Sequence, residues 1–212
     1  MATQRIQTLG EEIANAVSHG VALVAAIATV PFLIIAASQR HPAAVVGAAV
    51  FGATMVLLYA CSTIYHALPP GRGKRVFLTL DHSAIYLFIA GSYTPFALGA
   101  LSGPWGWSLF GVVWALAAAG VALKAFQRLS QPWLSTGLYL AMGWLVLVAA
   151  VPLVERMPVA GLWWLVAGGL AYTVGVVFFV LDQRLRYAHA VWHGFVAAGT
   201  GLHVVAVMGY AG

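Results

Sequence analysis

The stretch that decides the fold is Ala188–Tyr210, AHAVWHGFVAAGTGLHVVAVMGY. It holds no Asp, Glu, Lys or Arg, and a spanning helix needs about 20 mostly apolar residues. Yet it opens on two histidines, His189 and His193. Residues four apart on a helix sit one above the other on the same face. Two imidazoles stacked in this way can hold one metal ion between them.

The same apolar pattern recurs along the chain. Seven runs are long enough to span: 13–38, 43–68, 77–101, 105–126, 133–154, 162–181 and 188–210. Short connections carry the helix breakers, among them His41-Pro42, Pro69-Pro70-Gly71, Gln131-Pro132 and Met157-Pro158. The 212 residues are 62% hydrophobic and 7% charged, against about 25% charged in soluble domains. The mean hydropathy of +0.93 agrees. The expected fold is an all-α, seven-transmembrane helix bundle forming one domain over residues 1–212. The first run lacks a basic leader and a clear small-residue cleavage site, and reads as retained.

The net charge of +5 comes from residues in the loops. With no aromatic-interleaved basic patch, the lipid bilayer is the expected partner and nucleic acid is not. Arg5, Arg72, Lys74, Arg75, Lys124, Arg128, Arg184 and Arg186 fall on one side, and Arg40 and Arg156 on the other. Cytoplasmic loops carry the excess of Lys and Arg. The N-terminus is therefore expected in the cytoplasm and the C-terminus outside. Trp105, Trp107, Trp133, Trp163 and Trp164 lie near run ends, where an aromatic belt belongs. The lone Cys61 reads as a small buried hydrophobe.

On this topology the polar residues of the spans gather at one depth. His66 ends the second run, Asp81 and His82 open the third, and His189 and His193 open the seventh. Glu12, Asn15 and His19 lie on one face of the first run. Ionisable groups inside a span are costly and mark a site facing the protein interior. Three imidazoles with an open fourth position form the pattern of a catalytic zinc site. His66, His189 and His193 are the expected ligands, and zinc the expected cofactor. Asp81 is the expected general base for a water in the fourth position. Ser62, one turn before His66, is expected to steady that water or a substrate carbonyl. Glu12, Asn15 and His19 read as structural or supporting, and His82 as either a supporting residue of the site or a helix contact. His203 lies about 21 Å beyond His189 along the helix, too far to ligate. His41 falls in an external loop. Gly91 and Ser92 permit close helix approach, and Pro95 is expected to kink the third helix.

Each feature alone has a bland reading. The pair can be interfacial, His66 can be an ordinary helix-end imidazole, and Asp81 can be a cap near the positive helix end. Their coincidence at one depth is what favours a site.

At these residues the sequence resembles the hemolysin III family of bacterial membrane proteins. That family belongs with the progestin and adipoQ receptors, including the adiponectin receptors, and more distantly with alkaline ceramidases. The motifs are Glu12-x-x-Asn15-x-x-Ser18-His19-Gly20, Ser62-x-x-x-His66, Leu80-Asp81-His82-Ser83, Gly91-Ser92-Tyr93-Thr94-Pro95, and His189-x-x-x-His193 followed by His203. The resemblance implies seven helices with the N-terminus inside, zinc on His66, His189 and His193, and Asp81 at the water. It implies a multi-pass protein of the bacterial inner (plasma) membrane. Three functions stay open on this fold. The leading one is a zinc-dependent hydrolase of lipid amides or esters in membrane-lipid homeostasis, with a fatty-acyl substrate. The others are a lipid-sensing receptor with structural zinc, and a pore-forming hemolysin.

Overall fold

A computed structural model describes residues 5–128 and 132–212. Among these residues every regular element is helical. The helices are α1 (Leu9–Ser38), α2 (Pro42–Ala67), α3 (Arg72–Leu98), α4 (Pro104–Ala125), α5 (Pro132–Gly143), α6 (Ala150–Arg156), α7 (Val159–Leu181) and α8 (Ala188–Tyr210). A 3₁₀ segment, Trp144–Ala149, joins α5 to α6, so these make one span, and seven spans result.

Several boundaries differ from the sequence reading, for local reasons. The first helix starts at Leu9 rather than residue 13 because Thr8 and Glu11 form a reciprocal capping box ahead of it, which satisfies otherwise orphaned N–H groups. The third starts at Arg72 rather than residue 77 and ends at Leu98. Its added first turn is tied back by Lys74 Nζ, which donates to the Tyr65 and Leu68 carbonyls at the end of α2. His41 is not merely solvated: its Nδ1 accepts from Ala44 N and caps α2, with Pro42 at the first helical position, where its missing N–H costs nothing.

Helices α8, α1, α2, α3 and α4 pack side by side in that order, with α5 against α3 and α7 against α8. Phe51, Met55, Leu58 and Tyr59 of α2 are buried in the centre, while Val17, Val21, Val24 and Ile27 of α1 face outward. Bare apolar side chains on an outer surface are what a lipid solvent favours. Two close approaches join α2 to α3. A Cβ on Gly91 would lie 2.0 Å from Thr54 Oγ1, and one on Gly47 would lie 2.7 Å from Pro95 Cα.

The expected unbroken helix over 133–154 is interrupted in mid-span. The Tyr93 hydroxyl lies 2.8 Å from the Met142 carbonyl and 2.7 Å from that of Gly143, and accepts from Val146 N at 2.9 Å. A hydroxyl from α3 thus stands in for helical bonds that the 3₁₀ segment forgoes, as backbone at membrane depth requires. Tyr93→Phe should therefore destabilise the protein by about 1–3 kcal/mol, the cost of stranding a buried polar group. Thermal unfolding in detergent micelles reads this, and an unchanged midpoint would contradict the assignment.

Candidate metal centre

His66 leaves the last turn of α2, while His189 and His193 leave the first two turns of α8. The fold brings all three together. One ring nitrogen from each can be chosen so that all lie within 4.8 Å of one another. The ring centroids are 5.1 Å apart for His66–His189, 5.1 Å for His66–His193 and 4.8 Å for His189–His193. His66 and His193 are buried and His189 is half-buried. Among the described residues this is the one cluster of three or more side chains with metal-ligand spacing.

The outer contacts of the rings determine which nitrogens are free. His66 Nδ1 lies 2.7 Å from Glu12 Oε2, and His189 Nδ1 lies 2.8 Å from Asp182 Oδ2. His193 Nδ1 lies 3.2 Å from the Asn15 carbonyl and 3.0 Å from Ser18 Oγ. A carbonyl or carboxylate oxygen can only accept, so each Nδ1 carries the proton and each neutral ring keeps a bare Nε2 lone pair. The Nε2 atoms of His66 and His193 are buried with no partner. An unpaired buried polar atom is unfavourable, and a divalent cation would satisfy both. Metal-ligating histidines regularly donate their second nitrogen to a carboxylate or carbonyl in this way. The residues present fit a divalent metal ion.

Helix α1 supplies much of this support. Glu12 bridges two groups, with Oε2 on His66 and Oε1 2.9 Å from Lys74 Nζ. Together with the Tyr65 and Leu68 carbonyls, Glu12 uses all three donors of the Lys74 ammonium. Asn15 and Ser18 reach His193.

A second polar chain lies against the cluster. His19 stacks on His193 with centroids 3.4 Å apart and planes 10° apart. Its Nδ1 is 2.7 Å from Ser62 Oγ, and the buried Asp81 carboxylate lies near Ser62. Asp81 is therefore not part of the three-imidazole cluster but lies beyond its edge, on the side of Ser62 and His19. His82 lies outside the cluster, and its carbonyl accepts from the Tyr139 hydroxyl. His203 lies outside it too, with Nε2 3.3 Å from the Leu165 carbonyl.

Sequence reasoning missed Asp182, Glu11 and Arg5. Asp182 follows α7 and precedes His189 by seven residues across a loop, so no helical periodicity links the two. Thr8-x-x-Glu11 is a legible capping signal, but nothing in it announces the bond from Glu11 to Arg5.

Residues 7–204 match the family model described as "Haemolysin-III related". The chain belongs to that family. It is 44% identical over 209 residues to Hemolysin-3 of Bacillus cereus, covering 98% of this chain and 95% of the relative. It is 41% identical over 204 residues to the Hemolysin-3 homolog of Bacillus subtilis (strain 168), covering 96% and 95%. Human monocyte to macrophage differentiation factor matches at 31% identity over 170 residues, covering 76% of this chain and 68% of the relative. No solved structure matches the chain. Residues 7–204 of the haemolysin-III-related match include every side chain of the cluster and its outer partners.

The geometry carries a direct expectation. Full-length protein should take up one divalent ion in equilibrium dialysis. Glu12→Gln should weaken that uptake about 10–100-fold, the usual effect of removing an outer partner of a metal-bound imidazole. Unchanged affinity would show that Glu12 does not orient His66.

Proposed function

We propose that this haemolysin-III-related protein is a zinc-dependent hydrolase of lipid amides or esters, with its metal centre toward the cytoplasmic face of the bacterial plasma membrane. The observation that carries the reading is the pair of buried, unpartnered Nε2 atoms on His66 and His193 beside His189. Three neutral imidazoles with a fourth position open is the donor set of catalytic zinc. No thiol belongs to the cluster, and imidazole donors suit zinc without calling for redox chemistry. The orientation rests on eight Lys and Arg in the loops at the N-terminal end against two at the other.

When bound, zinc supplies a Lewis acid that polarises a carbonyl and lowers the pKa of a coordinated water from 15.7 to about 7. The chain's own residues supply the rest. Asp81, near Ser62, would take the proton of the attacking water as its oxygen adds to the substrate carbonyl carbon. The same carboxyl returns that proton to the leaving amine or alcohol as the C–N or C–O bond breaks. Ser62 Oγ, held by His19, would orient the water.

A recess with room for a few methylenes of an acyl chain supports the substrate class. A cavity of about 110 Å³ lies between α1, α2 and α8, with Ala22, Ala26, Met55, Tyr59, Ala197 and Thr200 in its walls. The Tyr59 ring meets His19 edge-on at 5.1 Å, so the cavity adjoins the centre.

Purified, zinc-loaded protein should release free fatty acid from a panel of ceramides, N-acyl amines and acyl esters, read by mass spectrometry. Asp81→Ala should retain zinc and lose turnover by a factor on the order of 10²–10⁴, the usual contribution of a positioned base. No release by zinc-loaded wild type, with an active ceramidase as control, would refute the hydrolase reading. Equal turnover by Asp81→Ala would refute the base assignment.

A further inference from the structure

We infer that Arg5 is a positioning residue for the metal centre, acting on His189 through Asp182. The inference rests on the metal reading above. It begins from a segment ahead of the first span that neither the family motifs nor the metal-ligand pattern assigns to the site.

The Arg5 guanidinium grips Glu11 with both arms, Nη2 to Oε1 at 2.6 Å and Nη1 to Oε2 at 3.0 Å. Glu11 is 1% exposed. A bidentate guanidinium–carboxylate pair has a defined orientation as well as strength. With the fork held on Glu11, Nε reaches the Asp182 carbonyl at 3.0 Å, and Nη2 also reaches the Leu185 carbonyl of the same loop at 3.4 Å. Arg5 also acts through its backbone. Its N–H donates to Gln183 Oε1 at 3.0 Å, and Gln183 Nε2 donates to Asp182 Oδ1 at 2.7 Å. The second oxygen, Oδ2, is then the one left facing His189 Nδ1 at 2.8 Å.

Both routes from Arg5 end on Asp182. One holds its backbone and the other holds one carboxylate oxygen, so the carboxylate is fixed at two points before it meets the imidazole. Glu11 adds a third tie to the same loop by accepting Tyr187 N at 3.1 Å. Tyr187 sits directly before α8 with φ of 60°, in the left-handed region that non-glycine residues seldom occupy. That conformation persists where surrounding contacts hold it. The clamp thus determines how α8 starts, two residues before His189.

Positioning and simple charge predict opposite results. Arg5 is a cation near a cation site, and hydrogen bonding to Glu11 pushes its guanidinium further above its ordinary pKa. By Coulomb's law alone, removing its charge would tighten metal binding. If Arg5 acts by holding Asp182, removing it weakens binding.

The test uses full-length protein in detergent micelles, with zinc affinity read by competition against a chromophoric chelator. Arg5→Met should bind zinc about tenfold more weakly, at the low end for an outer partner. Asp182→Asn should bind about 10–100-fold more weakly. The double variant Arg5→Met/Asp182→Asn should bind no worse than Asp182→Asn, because both changes break one chain of contacts. Arg40→Met is the stability control. Arg40 donates to the Val207 and Met208 carbonyls at the far end of α8, so its loss should lower the unfolding midpoint and leave zinc affinity alone. Gln183→Leu, at an exposed position, breaks the backbone route without disturbing the buried pair. It should cost a few-fold in affinity, even if Arg5→Met does not fold. Unchanged or tighter binding by Arg5→Met, no loss with Gln183→Leu, or losses that multiply in the double variant would each overturn the clamp. If wild type takes up no zinc, the metal reading fails and the clamp fails with it. If wild type binds one zinc and the variants match it, only the clamp fails.

Discussion

The structure depends on how three imidazoles are hydrogen-bonded and aimed inside an apolar bundle. A histidine in a membrane span must satisfy two ring nitrogens, and lipid offers no partner for either. Here each Nδ1 is taken by Glu12, Asp182 or the Asn15 carbonyl. Two of the three Nε2 atoms are buried and unpartnered. Arranged around one point, such lone pairs make a polar interior that is incomplete without a cation. Most of the polar architecture at this end of the bundle, from Lys74 on Glu12 to Arg5 on Glu11, bears on that arrangement.

Helix α1 has an unusual division of labour. Its outward face carries exposed Val and Ile, as a lipid-facing helix should. Its first three turns carry Glu11, Glu12, Asn15, Ser18 and His19, which reach both helices that supply the ligands. The ligands come from α2 and α8, and α1 lies between these helices and packs on each. One helix therefore couples the geometry of the metal centre to the entry of the chain into the bundle.

Much of this was legible in the sequence. Seven apolar runs are long enough for seven spans, and alternating direction puts His66 at the same depth as His189 and His193 without any knowledge of packing. Gly91 read correctly as a close contact, since α2 leaves no room there for a side chain. What was not legible depends on contacts across loops and between spans. Asp182 and His189 share no helix, and Arg5 and Glu11 reach the α7–α8 loop across more than 170 residues of chain. The 3₁₀ break after Gly143 is hidden in an unbroken apolar run, because its cause is the Tyr93 hydroxyl of another helix. Nothing in the sequence signalled that Ser62 would meet His19, since the two sit on different helices.

The central claim is that His66, His189 and His193 share one metal ion through their inward nitrogens. X-ray absorption at the zinc edge of purified, zinc-reconstituted protein tests it most directly. The account predicts three imidazole nitrogens at about 2.0–2.1 Å with one further light atom, and loss of one imidazole shell in His193→Ala. A spectrum with sulfur in the shell, with fewer than three imidazoles, or unchanged in His193→Ala would contradict it.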